Sequence, residues 1–170
     1  MTDDQARTGR SPAGRALVIT ASNRAAAGVY PDRSGPLLAD ALAGWGFAVD
    51  GPLVVPDGEP VAAALRDAVQ AGYDVVLTTG GTGLSPSDRT PEATLAVLDR
   101  ELPGVAEAIR SHGLAATPMA ALSRAVAGTA RDTVIINLPG SPGGVKDGLT
   151  VLDDLLPHLV AQVSGGGPHA

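Results

Sequence analysis

Asp74-Val-Val-Leu-Thr-Thr79-Gly80-Gly-Thr-Gly83-Leu-Ser-Pro-Ser-Asp88 decides how the chain is read. Its first six residues form a β-branched, apolar run, the mark of a buried strand. The loop that follows has three glycines in four residues, which lets the backbone reach positive φ and approach a ligand closely. Successive N–H groups in such a loop form an anion-binding nest, here with hydroxyls at Thr79, Thr82 and Ser85. The plainer alternative is a loop whose glycines only turn the chain.

Working outward, Ala16–Ala21 is a second short buried strand, and Phe47–Val55 a third, interrupted by Gly51-Pro52. Thr133–Leu138 is another. Between them the apolar period changes to that of helices. Leu37, Leu38, Ala41, Leu42 and Trp45 make one face, ended by Gly44 and Gly46; Val61, Ala64, Leu65, Ala68 and Val69 make another, ended near Gly72. Thr90 is placed as the N-cap of a helix opening at Pro91, with Leu95, Leu98 and Leu102 along its face. A helix over Val105–His112 follows. The last helix carries Leu149, Leu152, Leu156, Leu159 and Val163, and Pro157 is expected to kink or interrupt it. Strands alternating with helices imply a three-layer α/β/α fold with a mostly parallel sheet, as a single domain over 15–163. Residues 1–14 read as a disordered start and 164–170 as a flexible tail. Ligands of such sheets lie beyond the carboxyl ends of the strands. The loops Ser22–Gly35, Gly80–Thr90 and Pro139–Lys146 are therefore expected to converge.

Composition narrows the chemistry. The chain has 170 residues, long enough to bury roughly 70% of its unfolded surface without staples. With no cysteine it has no disulfide, thiolate metal site or cysteine nucleophile, which fits a reducing cytoplasm. The three histidines lie far apart and form no zinc spacing. A net charge of −6 argues against general nucleic-acid or anionic-membrane binding. No apolar run approaches the ~20 residues that span a bilayer. The glycine loop lacks the Gly-Lys-Ser/Thr of a P-loop, and Pro86 stands where a dinucleotide fingerprint needs its third glycine. Gly83–Ser87 lacks the final glycine of a nucleophile elbow.

Thr78–Thr94, TTGGTGLSPSDRTPEAT, resembles the signature of the molybdenum-cofactor biosynthesis domain family, which includes molybdopterin adenylyltransferases and gephyrin-type G domains. Ser22–Arg33, Leu53–Asp57, Asp99–Glu107, Ser123–Gly128 and Asn137–Pro142 are similar to further stretches of that family, in the same order. The resemblance covers roughly residues 15–163. It implies adenylyl transfer from Mg·ATP to the terminal phosphate of molybdopterin, with both as substrates. It also implies a homotrimer and contact with other cofactor-assembly proteins.

By the same resemblance Asp57 and Asp88 are the catalytic residues and ligands of Mg²⁺. Ser22, Thr79, Gly80, Gly81, Thr82, Gly83, Ser123, Pro139, Gly140 and Ser141 would contact substrate or nucleotide. Both follow predicted strands, where oxygen ligands for a metal are useful; the plainer alternatives are a Pro-Asp-Gly turn for Asp57 and a cap before Thr90 for Asp88. For Ser123 the alternative is a structural hydroxyl, and Arg24, Arg33, Arg89 and Lys146 either meet a phosphate or are surface cations. Glu107 either lines the site or caps a loop. Asn23 and Ser141 depart from the family pattern, in which aspartate and an amide are common at these places. A non-catalytic molybdopterin-binding protein of the same family stays open, as does a nucleotide-hydrolysing relative of the competence-damage type.

Overall fold

The computed structural model describes residues 13–166. The expected disordered start falls, apart from Ala13 and Gly14, outside the described residues, as do 167–170 of the tail. Six strands form one sheet: β1 (Arg15–Ala21), β2 (Ala48–Val55), β3 (Val75–Thr79), β4 (Arg100–Glu101), β5 (Ala127–Ala130) and β6 (Thr133–Leu138). Their order is β2-β1-β3-β6-β5-β4. The first four in that order are parallel, while β5 runs antiparallel to both β6 and β4.

Alternation along β1 explains the three layers. Ala16 and Val18 join Leu38, Leu42, Ile109, Leu152 and Leu156 in one core. Leu17 and Ile19 point the other way, onto Val61, Leu65 and Ala68. One face is thus covered by α2 (Ser34–Gly44), α5 (Pro103–Leu114) and α6 (Pro142–Val163), the other by α3 (Glu59–Ala71) and α4 (Thr90–Leu95). A four-residue α1 (Asn23–Ala26) follows β1, and a 3-10 turn covers Pro118–Leu122. Both faces of β3 and β6 are buried, hence their continuous apolar runs.

Several local expectations change. Gly51-Pro52 does not interrupt β2; one extra residue is absorbed as a bulge opposite Leu17–Ile19, and the parallel pairing resumes at Leu53. Pro157 does not break α6, which runs unbroken to Val163. Leu152 and Leu156 before the proline are fully buried, and Leu159, Val160 and Val163 after it rest on the same core. Two buried leucines contribute about 3–6 kcal/mol, enough to offset the ~3 kcal/mol cost of an interior proline. The helix opened by Pro91 is only six residues long, and Leu98 and Leu102 lie beyond it. The Asp99 N–H donates to the Thr129 carbonyl and Leu102 N–H to Ala127, so the chain leaves the helix to build the β4 edge. Thr90 is not the N-cap either: Arg89 takes that position, and the Thr90 hydroxyl donates to Asp57 Oδ1 at 2.8 Å.

Candidate functional site

The three loops do converge at the carboxyl ends of the parallel strands. Thr79 at the end of β3 donates its hydroxyl to the Pro139 carbonyl at 2.6 Å, and Ser34 donates to the Gly140 carbonyl at 2.7 Å. A Cβ added at Gly140 would lie 3.3 Å from Gly80 Cα, so the two glycine segments cross almost in contact. Deeper in the sheet, Thr78 and Asn137 face each other in register. The buried Asn137 amide donates to Thr78 Oγ1 and Thr94 Oγ1 and accepts the Val126 N–H. This side chain ties β3, β6, α4 and the approach to β5 together beneath the site.

Two clefts open over this platform. The larger, about 650 Å³, is lined by Ser22, Asp57, Thr79, Gly80, Gly81, Asp88 and Gly140, with Arg24, Tyr30, Asp32 and Arg33 around them. The second, about 510 Å³, is lined by Gly81, Thr82, Gly83, Asp88, Ser123, Pro139, Gly140 and Ser141, with a more apolar wall of Ile109, Met119 and Leu122. All twelve residues expected at the site therefore lie on one cleft or the other. Gly81, Asp88 and Gly140 border both.

At that shared border and along the second cleft the backbone offers donors. Among the described residues, the N–H groups of Gly81, Thr82 and Gly83 have no protein acceptor, and neither do those of Gly140, Ser141 and Gly143. The second set sits at the start of the 22-residue α6, whose positive dipole end faces the same place. Ser141 caps that helix by accepting the Gly144 N–H at 3.1 Å. Two sets of unfilled donors at and beside the border are an arrangement suited to an anion.

The two aspartates differ. Asp57 already accepts three bonds: from the Gly58 N–H, the Thr90 hydroxyl and the Arg89 N–H. Its own N–H donates to Asn23 Oδ1 at 3.0 Å, a role that needs only an oxygen, so asparagine fills it without loss. Asp88 Oδ2 accepts the Ser85 N–H at 3.0 Å, and its Oδ1 has no partner among the described residues. No group of three acidic or histidine side chains capable of holding a metal occurs among the described residues. The donor set still fits magnesium, which takes one or two carboxylates and completes its shell with water and substrate phosphates. Asp88 Oδ1 and the remaining lone pair on Asp57 Oδ2 are the oxygens available.

Other residues fall away or come forward. Lys146 and Glu107 are exposed and line neither cleft, and the Arg89 side chain lines neither. Arg24 stacks 5.5 Å from the Tyr30 ring centroid, and Tyr30 OH bonds to Ser22 Oγ. Sequence reasoning missed Asp32, which accepts the Thr20 hydroxyl and the N–H groups of Ser34 and Gly35. An aspartate two residues before a helix was the signal for it. It also missed Arg110, which donates to the Ser123 and Ala125 carbonyls, and Arg124, which reaches the Gly83 and Asp88 carbonyls.

Residues 17–158 match the profile of a family described as a probable molybdopterin binding domain. The chain belongs to this family. It is similar to the molybdopterin adenylyltransferase of Haemophilus influenzae, 41% identical over 144 residues, covering 81% of this chain and 72% of that protein. A molybdenum cofactor biosynthesis bifunctional protein of Synechococcus elongatus is 41% identical across 95% of this chain, which spans about half (51%) of that longer protein. Among solved structures, the molybdopterin biosynthesis Mog protein of Mycobacterium ulcerans superposes with a TM-score of 0.84 at 52% identity, covering 88% of this chain and 99% of that one.

Proposed function

We propose that this family member is a magnesium-dependent molybdopterin adenylyltransferase. The observation that carries the reading is the shared border of the two clefts. Two substrates held one in each cleft would meet at Gly81, Asp88 and Gly140, where the unfilled N–H groups of Gly81 and Gly140 lie, with those of Thr82, Gly83, Ser141 and Gly143 beside them on the second cleft. An oxygen of the terminal phosphate of molybdopterin attacks the α-phosphorus of ATP. The new bond joins that oxygen to the α-phosphorus; the bond to the β-phosphate bridging oxygen breaks, and pyrophosphate leaves with the electron pair.

The residues act mainly by placement. The N–H groups of Gly81–Gly83 hold equatorial phosphate oxygens whose charge grows in the transition state. The α6 start holds the neighbouring phosphate. Asp88 Oδ1 and Asp57 Oδ2 would hold magnesium, which when bound neutralises phosphate charge. Asp57 has a second duty, since its three accepted bonds join the end of β2 to the start of α4.

Incubation with molybdopterin and Mg·ATP is expected to give adenylylated molybdopterin and one pyrophosphate per turnover. Absence of product, with a known active relative turning over beside it, overturns the assignment. One observation favours a second reading, a binding and delivery protein: the Asp57 carboxylate is mostly occupied by protein donors. That reading predicts pterin affinity by calorimetry with no pyrophosphate released.

The same reading includes a homotrimer in the cytoplasm, in contact with other cofactor-assembly proteins. Solution scattering is expected to give three times the chain mass, and a monomeric mass overturns it. No helix among the described residues is long and apolar enough to cross a membrane.

A further inference from the structure

Arg124 lies beside the glycine loop rather than in it, and its bonds all point one way. Its N–H donates to the Thr82 carbonyl at 2.8 Å, Nε to the Gly83 carbonyl at 2.8 Å and Nη2 to the Asp88 carbonyl at 2.9 Å. Nη1 is paired with Glu92 on α4. One residue thus gathers carbonyls from both ends of the 82–88 segment and fastens them to the helix that follows. A peptide whose carbonyl is fixed has the direction of the next N–H fixed as well. The main-chain bond to the Thr82 carbonyl sets the Gly83 N–H, one of the unfilled donors on the second cleft, and the side chain holds the peptide on the other side of that residue through the Gly83 carbonyl.

We propose that Arg124 is a positioning residue that sets the glycine loop for transfer without touching substrate. This rests on the adenylyl-transfer reading. Only arginine suits the place, because its planar fork serves the Gly83 and Asp88 carbonyls and a carboxylate at once, whereas a lysine ammonium is a point donor. The clamp also fixes Asp88. Its carbonyl is held by Arg124 and its Oδ2 by the Ser85 N–H, which restricts where Oδ1 can lie, and Asp88 lines both clefts.

The test uses the full chain with Arg124→Gln and Arg124→Lys, read in two ways. Hydrogen exchange follows the bonded loop amides of Asp88, Arg89 and Thr90. In Arg124→Gln their exchange is expected to rise about tenfold or more, with β3 and β6 amides unchanged. Steady-state transfer is expected to lose about 10²-fold in kcat, while KM for Mg·ATP stays within about threefold, because misplacement costs turnover more than binding. Arg124→Lys should fall between the two proteins in both readings.

Wild-type exchange rates in Arg124→Gln, or a raised KM with unchanged kcat, overturn the proposal. If Arg124→Gln does not fold, Arg124→Lys carries both readings with the same outcomes. A wild-type chain that makes no product overturns the transferase reading, and the exchange data then still decide whether Arg124 sets the loop.

Discussion

Gly81 rests against Asp57 with no room for a side chain between them. A Cβ at Gly81 would run into Asp57 Oδ2 and Thr90 Oγ1, and the residue has φ of +67°, a conformation that L side chains rarely adopt. Both the hydrogen-bonded bracket on Asp57 and the open N–H of Gly81 depend on this fit. Gly81→Ala is therefore expected to lower stability by about 1–3 kcal/mol and to reduce adenylyl transfer more than tenfold. Urea unfolding and a pyrophosphate assay measure the two effects, and full activity in the Gly81→Ala variant would show that the close fit is dispensable.

The aspartates should separate under mutation. Asp57→Asn replaces an acceptor oxygen with an amide that must face one of three donors, and is expected to cost about 1–3 kcal/mol of stability as well as activity. Asp88→Asn keeps the acceptor for the Ser85 N–H, so the melting temperature should hold while kcat falls about 10²-fold. Thermal unfolding beside single-turnover kinetics distinguishes the two patterns. Equal losses of stability in both variants would remove the distinction drawn between a bracketing and a free carboxylate.

What could be read in the sequence follows from how locally each feature is determined. Thr133–Leu138 is legible because all six residues are buried and five are of strand-forming or apolar type. The neighbouring β5, Ala-Gly-Thr-Ala, carries no such pattern and exists because β6 and β4 pair with it. Glycine loops announce a ligand through composition, so the platform of the site was legible. Thr90 reads as a cap from its neighbours alone, yet its hydroxyl goes to Asp57, 33 positions away. Arg124 is illegible for the same reason: its side-chain partners lie 32 to 41 positions distant.

Asn137 supplies a test of the platform apart from chemistry. It is 1% exposed, and its amide makes all three of its bonds inside the protein. Asn137→Ala leaves the Val126 N–H without an acceptor and opens a polar void under the loop. The expected loss is on the order of 3 kcal/mol in urea unfolding. A loss below about 1 kcal/mol would mean that a water replaces the amide, and that the network is not a single unit.

Glu92 gives the loop an acid limit. The hydrogen bond from Arg124 is the main cause holding its carboxyl below the ordinary value of 4.5, helped by a backbone bond and by the charges of Arg124 and Arg89, with burial opposing. A folded-state pKa lowered in this way contributes stability that is present above the unfolded value. That contribution is lost as pH falls through the folded value, so the clamp is intact at neutral pH and loosens only below about 4.5. The carboxylate is 58% exposed, so the effect on global stability is small and the loop itself is the place to look. Exchange at Asp88, Arg89 and Thr90, corrected for intrinsic rates, should accelerate below that pH in the wild type. In Glu92→Gln it should already be faster at pH 7 and show no further step in acid. An acid step of the same size in Glu92→Gln would take the loosening away from Glu92 and sink this account of the clamp.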